Sequence, residues 1–178
     1  MALQNLVHRL RQFRTWHHWV GISVVLFMLI TSITGVLLGW KKNVEVLQPA
    51  TLKGESKDMH EWVSFDKVAV AAAQAVDSVV GRAIEIDRMD VRPDKGIIKV
   101  LFKEGYWEAQ VDGANGKVLS VAQRHADWIE HIHDGSIISE GFKLLYTNYI
   151  GFGLLMLSIT GFWLWYGPRR IRKVKQNS

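Results

Sequence analysis

The chain has 178 residues with no cysteine; 22 residues are Lys or Arg and 17 are Asp or Glu, which gives a formal net charge of +5. The absence of cysteine excludes disulfides, thiolate metal sites and cysteine catalysis. All the acidic residues lie between Glu45 and Glu140, whereas the basic excess lies in two short tails beside apolar segments. That distribution is typical of membrane orientation signals, so we expect no nucleic-acid partner.

Two uncharged apolar segments predict transmembrane helices, the first at residues 19–40 and the second at residues 144–167. At about 1.5 Å per residue, each can cross a hydrocarbon core of about 30 Å. Residues 1–18 predict a basic segment at the membrane surface, and residues 168–178 predict a basic tail. Because positive charge marks the cytoplasmic side, we expect both termini in the cytoplasm and the middle of the chain outside it.

Both apolar segments contain the motif Ser-Ile-Thr-Gly, which ends at Gly35 in the first and at Gly161 in the second. Gly35 and Gly39 also form a G-x-x-x-G, in which small residues let helix backbones approach closely. We therefore expect Gly35, Gly39 and Gly161 at helix-packing positions, against the other segment or a second copy of the chain. The hydroxyls of Thr34 and Thr160 can bond carbonyls one turn back, which requires no functional role.

The middle of the chain predicts a small α+β domain. Residues 41–63 are polar and predict a linker, and residues 64–124 form the domain. Ser64 and Gly81 mark the start and end of a helix. Alternating apolar residues then predict an antiparallel meander of about four strands, with the helix on one face. Residues 125–143 predict a segment that leads back to the membrane.

The last predicted hairpin, from Tyr106 to Leu119, resembles the PepSY domain, whose last hairpin ends in an Asp, a turn Gly and a short strand. Further matches flank it: His17 with Trp19 and Gly21, Thr34-Gly35, His133-Asp-Gly135, Thr160-Gly161, Trp165 and Pro168-Arg169-Arg170. In this order they resemble the PepSY-associated transmembrane family over nearly the whole chain. The fold expected is two transmembrane helices with a small α+β PepSY-like domain inserted between them.

The resemblance also implies a location and a chemistry. Members of the family are bacterial inner-membrane proteins with a periplasmic PepSY domain. Some look like haem-containing reductases that take iron off siderophores, with membrane histidines as haem ligands. Those members typically have about four spans, and a dimer of this two-span chain would rebuild their bundle. The resemblance therefore implies haem b as the cofactor and haem-dependent ferric reduction as the candidate enzyme activity.

Four histidines are candidate cofactor ligands: His17, His18, His131 and His133. His17 and His18 are adjacent and point about 100° apart on a helix, so only one can face a bundle interior. By spacing, His17 and His133 match the family positions. These two are on opposite faces of the bilayer, on the order of 30 Å apart, and cannot ligate one iron. A bis-His haem would therefore need a second copy of the chain.

Two other functions are compatible with the same residues. One is a non-enzymatic accessory or regulatory subunit, in which the helices dock on a larger membrane complex and the domain binds a periplasmic protein or peptide. The other is a divalent-metal site made by His131, His133 and Asp134, since imidazole and carboxylate suit zinc or iron. The expected partners are membrane lipid and either a second copy or a larger complex.

Overall fold

The structure, a computed structural model, describes residues 2–176, without the side chains of residues 2, 3, 174 and 175. The chain forms two compact units. One consists of Met1–Gly35 and His131–Ser178 and contains two long helices; we call it the helix pair. The other, Val36–Glu130, contains a β-sheet and is called the sheet domain. The two apolar helices and the antiparallel sheet confirm the predicted fold at this level.

The helix pair is built from α1 (Ala2–Gly39) and α4 (Glu140–Gln176). Both are long and apolar enough to cross a membrane, over Gln4–Gly39 and Glu140–Lys173. The helices are longer than the predicted spans because the basic flanking segments continue them. Helix α4 even passes through Pro168, whose missing N–H removes one backbone hydrogen bond near its end. Much of their apolar surface is exposed, as expected for helices that face lipid.

Within the sheet domain, helix α2 (Phe65–Val80) precedes the strands. The residues predicted to start and end this helix, Ser64 and Gly81, are confirmed as its caps. The Ser64 hydroxyl accepts a hydrogen bond from Lys67 N, and Gly81 ends the helix with a left-handed φ of 78°. Four antiparallel strands follow in the spatial order β1-β2-β3-β4. Their bounds are β1 (Ile86–Arg92), β2 (Ile97–Phe102), β3 (Trp107–Asp112) and β4 (Val118–Gln123).

One face of the sheet packs on α2 and forms the apolar core, as predicted. The core residues are Val68, Ala72 and Val76 of α2, with Ile84 and with Ile98, Val100, Phe102, Ala109 and Val111 of the central strands. Side chains of β2 and β3 alternate between the two faces, so their neighbours Lys99, Glu108 and Gln110 point to the opposite face. These polar residues are buried too, which means that the second face is also covered.

A stretch of the predicted linker covers this second face; we call residues 50–55 the strap. The Gln110 side chain donates to Ala50 O at 2.9 Å and accepts from Leu52 N at 2.8 Å. Further along, Glu55 N donates to Asp112 Oδ2 at 3.0 Å. The strap thus satisfies buried polar groups that would otherwise lie unpaired in the interior.

Four charged side chains of the sheet domain form a connected network that includes two of these buried polar residues, Lys99 and Glu108. Glu108, 1% exposed, lies 3.1 Å from Lys99 Nζ and 3.4 Å from Arg124 Nη1. Arg124 Nη2 in turn lies 3.0 Å from Asp127 Oδ1. Two positive and two negative charges therefore compensate one another. Arg124 and Asp127 join β4 to α3 (His125–Asp134), the helix that leads into the helix pair.

Candidate functional site: two histidine stations in the helix pair

Helices α1 and α4 contact each other at glycines. A Cβ built on Gly153 would lie 2.7 Å from Val24 Cγ1, and one built on Gly21 would lie 3.7 Å from Leu157 Cδ2. Val24 is only 1% exposed. Without side chains at these points the backbones approach closely, which is the usual basis of helix association in lipid. This close packing brings polar side chains of one helix within reach of the other.

The first histidine station is formed by His17 on α1 and Thr160 on α4. His17 Nδ1 lies 2.8 Å from Thr160 Oγ1. The same hydroxyl donates to the carbonyl oxygen of Met156, one turn earlier, at 2.7 Å. Gly161 follows, and a Cβ built there would lie 3.5 Å from His17 Cε1. The imidazole is therefore bound at Nδ1, and Gly161 carries no side chain that would crowd Cε1, the carbon between the two ring nitrogens.

The second station is formed by His133, near the end of α3, and Thr34 on α1. His133 Nδ1 lies 2.9 Å from Thr34 Oγ1. The Thr34 hydroxyl donates to Ile30 O at 2.7 Å. A Cβ built on Gly35 would lie 3.3 Å from His133 Cε1. Every feature of the first station recurs here.

The two stations have the same arrangement, with the roles of the two apolar segments exchanged. At each, a histidine contacts the Thr and the Gly of the Ser-Ile-Thr-Gly motif on the other apolar segment. His17 precedes the motif of α1 but contacts the motif of α4, whereas His133 precedes the motif of α4 but contacts that of α1. The repeated motif is therefore a pair of supports for histidine side chains.

Sequence reasoning missed the role of Thr34 and Thr160. Their bonds to carbonyls one turn back, which were expected, are present. Their contacts with the histidines were not expected, because nothing in the sequence pairs a residue of one helix with a particular residue of the other. The signal that could have indicated these contacts was the repetition of the motif with a histidine before each copy.

The glycines predicted at packing positions lie in different surroundings. Gly35 and Gly161 lie at the stations, each next to an imidazole ring. A Cβ built on Gly39 would meet no described atom within 4 Å. Gly39 therefore leaves an open position on the surface of α1.

His17 and His133 lie at opposite ends of the helix pair. At about 1.5 Å per residue, the stretch of α1 from His17 to Thr34 is about 25 Å long, and His133 lies at Thr34. The structure does not bring the two imidazoles together. Each station by itself contributes one histidine.

An apolar groove of about 400 Å³ lies beside the His17 station. It is lined by Phe13, Ser158, Ile159, Phe162 and Trp163. Phe13 is one helical turn before His17, and Trp163 is one turn after Thr160. The groove therefore continues the surface on which the imidazole lies.

An aromatic side chain of α4 packs against the turn that follows the His133 station. Tyr146, 6% exposed, has its hydroxyl 2.9 Å from Thr31 Oγ1. The turn after His133 packs against the same ring: a Cβ built on Gly135 would lie 3.1 Å from Tyr146 Cγ. Gly135 has a φ of 80°, which other residues rarely adopt. The turn and Tyr146 thus fix the backbone that carries His133.

The carboxylate of Asp134 anchors this turn to α4. It accepts from Lys143 Nζ, at 2.8 Å, and from Ser136 N, at 2.9 Å. Partial burial acts to raise the pKa of Asp134, but the hydrogen bonds from Lys143 and Ser136 outweigh it and lower the pKa to about 2. Asp134 is therefore ionised at neutral pH and committed to the turn.

The other predicted ligands are placed differently. His18 is exposed and lies edge-on to Trp19, with ring centroids 5.7 Å apart. His131 lies one turn of α3 before the end of the helix, and its carbonyl accepts from Ile137 N at 3.1 Å. Within residues 2–176 no three His, Asp or Glu side chains converge into a group that could hold a metal ion. His131, His133 and Asp134 therefore do not form a three-ligand cluster.

Comparison with known proteins identifies the family of the chain. The family described as the PepSY-associated TM region matches residues 14–178, which include both stations and the whole sheet domain. No protein with a curated description matches the chain. With two apolar helices and a match over most of its length, the chain is a membrane protein that belongs to the PepSY-associated transmembrane family.

Proposed function

We propose that the chain carries electrons across a bacterial inner membrane through haem b bound at its histidine stations, and delivers them to a ferric substrate of the siderophore type. The observation that supports this most directly is the duplication of the station. Two imidazoles, each bound at Nδ1 by a buried threonine, lie at opposite ends of one helix pair. Two sites near the two membrane surfaces suit stepwise electron transfer.

The residues at each station fit a haem ligand. Neutral imidazole is a common axial ligand of haem iron, through a nitrogen that carries no proton. Nδ1 of His17 and of His133 is occupied by a threonine, whereas Nε2 makes no hydrogen bond to a described residue. The apolar groove beside His17 offers a lipid-facing surface for a flat, apolar group. His17 and His133 would hold the cofactor, which would supply one-electron chemistry.

Completion of a bis-His site needs a second protein chain. The two stations are about 25 Å apart along α1, so they cannot share an iron. A homodimer would place a second copy of each histidine in the same membrane leaflet, by two-fold symmetry. A larger membrane complex that supplies the second ligand is the other route.

The charge distribution supports a direction for the transfer. Arg9, Arg11 and Arg14, together with Arg169, Arg170 and Arg172, flank the His17 end of the helix pair. Positive charge favours the cytoplasmic side, so the His133 end and the sheet domain would face the periplasm. Electrons would then enter at the His17 station and leave at the His133 station, towards a periplasmic substrate.

An absorption spectrum tests the proposal first. The full chain, purified in detergent from haem-replete cells, is expected to show a Soret band that shifts on dithionite reduction and resolved α and β bands. His17→Leu and His133→Leu are each expected to remove about half of the haem, whereas the matched neighbour variant His18→Leu retains it. Reoxidation of the reduced protein by a ferric siderophore tests the substrate class.

A featureless spectrum from a folded, haem-replete preparation would refute the haem proposal. The accessory-subunit function would then lead, and it predicts that the histidine variants have no effect while variants on the open face around Gly39 prevent association with a partner complex. Binding of one equivalent of zinc without visible absorbance, lost in His131→Leu, would favour the metal-site interpretation instead.

A further inference from the structure

We propose that Thr34 and Thr160 are positioning residues that hold His133 and His17 in the Nδ1–H tautomer, with the lone pair on Nε2. The use of that lone pair for haem rests on the proposed function above. The tautomer itself follows from hydrogen-bond geometry and holds with or without a cofactor.

Each threonine hydroxyl has a single proton to donate. Thr160 Oγ1 lies 2.7 Å from Met156 O, and Thr34 Oγ1 lies 2.7 Å from Ile30 O. A carbonyl oxygen only accepts, so in both bonds the threonine must donate. The hydroxyl then offers only lone pairs to any other partner.

The second partner of each hydroxyl is the imidazole. With distances of 2.8 and 2.9 Å between Nδ1 and Oγ1, each pair is within normal hydrogen-bond length. Since the threonine proton is already donated, the ring must donate from Nδ1. A neutral ring with its proton on Nδ1 has none on Nε2.

The opposite tautomer would make fewer hydrogen bonds. If Nδ1 accepted, the hydroxyl would have to turn away from the helix carbonyl, and one bond would be lost at each station. The proton would then lie on Nε2, which has no acceptor among the described residues. In the low dielectric of a membrane an unpaired donor is costly, so the Nδ1–H form is favoured twice over.

Thr15 supplies an internal comparison. Its hydroxyl also donates to a carbonyl one turn back, that of Arg11, at 3.1 Å, and it is exposed. Thr34 and Thr160 are 8% and 1% exposed and each contacts an imidazole from another segment. The carbonyl bond alone is thus a general property of threonine in helices. Among the threonines that the structure describes, the two buried ones, Thr34 and Thr160, present a hydroxyl lone pair to a histidine.

Nuclear magnetic resonance of the haem-free full chain tests the tautomers directly. The protein is labelled with ¹⁵N-histidine, placed in lipid nanodiscs and held at a pH at which the rings are neutral. Two-bond ¹H–¹⁵N correlations distinguish the nitrogen that carries the proton. His17→Gln and His133→Gln assign the two rings.

The wild-type rings are expected to show the Nδ1–H pattern. Thr160→Val should move His17 towards the Nε2–H form and leave His133 unchanged, and Thr34→Val should do the reverse. Thr160→Ser and Thr34→Ser, which keep the hydroxyl, should retain the wild-type pattern, as should Thr15→Val. An Nε2–H pattern at either wild-type ring, or valine variants with wild-type tautomers, would overturn the inference.

A second readout applies to the haem-loaded protein. A hydrogen bond from Nδ1–H makes the imidazole more basic and stabilises the ferric state. Thr34→Val and Thr160→Val should therefore keep a Soret band but raise the midpoint potential, whereas Thr15→Val should not change it. If the rings are Nδ1–H but the protein binds no haem, the proposed function is refuted and the tautomer inference stands. If the protein binds haem but the haem-free rings are Nε2–H, the tautomer inference is overturned and the proposed function stands.

Discussion

Gly153 of α4 lies so close to Val24 of α1 that a Cβ added at Gly153 would come within 2.7 Å of Val24 Cγ1. Val24 is buried against this glycine and cannot move aside without disturbing its neighbours. The replacement Gly153→Ala is therefore expected to destabilise the helix pair by about 1–3 kcal/mol, the usual cost of overpacking. Thermal unfolding in nanodiscs measures the change.

Gly151, two residues away on α4, is the matched control. A Cβ built there meets no described atom within 4 Å, so Gly151→Ala should be neutral or slightly stabilising through helix propensity. Equal losses of stability in the two variants would show that the helices do not pack at Gly153 as described.

Acid should weaken the turn that Asp134 anchors. The folded-state pKa of about 2 lies below the ordinary value of 3.8, so the stabilisation is fully present above about pH 4 and is lost as pH falls through 2. Because Lys143 is 44% exposed and its charge is screened, we expect only about 1–2 kcal/mol.

The comparison with Asp134→Asn isolates this effect from other acid-sensitive groups. The wild type should melt at a higher temperature than the variant at pH 6, and the difference should shrink towards zero between pH 4 and pH 2. A difference in melting temperature that stays constant across this range would contradict the role of the Asp134 carboxylate.

Glu108 is expected to be essential for the sheet domain. It is 1% exposed and faces both Lys99 and Arg124, so Glu108→Ala would remove the carboxylate that faces the buried Lys99 and would leave Arg124 paired with Asp127 alone. Loss of one partner from a buried ion pair typically costs about 3–5 kcal/mol. Hydrogen exchange of the β2 and β3 amides in the full chain would report the loss.

An exposed ion pair of the same domain provides the comparison. Glu104 pairs with Arg82, and both side chains are more than half exposed. Glu104→Ala should change stability by less than about 1 kcal/mol, as is normal for surface pairs. Similar hydrogen-exchange rates in the Glu104 and Glu108 variants would indicate that the buried network is not formed.

The hydroxyls of Tyr146 and Thr31 should be energetically coupled. They lie 2.9 Å apart between the two helices. In a double-mutant cycle of Tyr146→Phe and Thr31→Val, we expect a coupling free energy of about 0.5–1.5 kcal/mol. Tyr149→Phe, at a more exposed position on α4, should show no coupling to Thr31→Val in the same unfolding assay.

The sequence alone was sufficient to predict the helices and strands that depend on local signals. The helix between Ser64 and Gly81 and the four-stranded meander follow from caps, turns and alternation, and all of them are confirmed. Helices α1 and α4 extend beyond the predicted spans into the basic flanking segments. Basic residues near a membrane surface mark a boundary in charge but do not interrupt a helix, and α4 continues through Pro168 to Gln176.

Contacts between segments distant in the chain could not be predicted. Gln110 looks like an ordinary outward-facing polar residue of a strand, and only the folded strap reveals that it is buried. The same holds for Thr34 and Thr160, because the repeated motif does not by itself show which histidine each threonine contacts. Periodicity indicates which face of an element is apolar, whereas the partner of a polar side chain depends on how the elements meet.

The hydrogen bonds of the two stations make the helix pair sensitive to a shift of one helix along the other. Each threonine binds a histidine from a distant segment of the chain. A shift of α4 along α1 would break the Thr160–His17 bond directly, and it would strain the Thr34–His133 bond through the turn that joins α3 to α4. A displacement of one helical turn, about 5.4 Å, is enough to lengthen a 2.8 Å bond across the helices far beyond hydrogen-bond range. The two ends of the helix pair are thereby coupled, since a shift that breaks the bond of one histidine also strains the bond of the other.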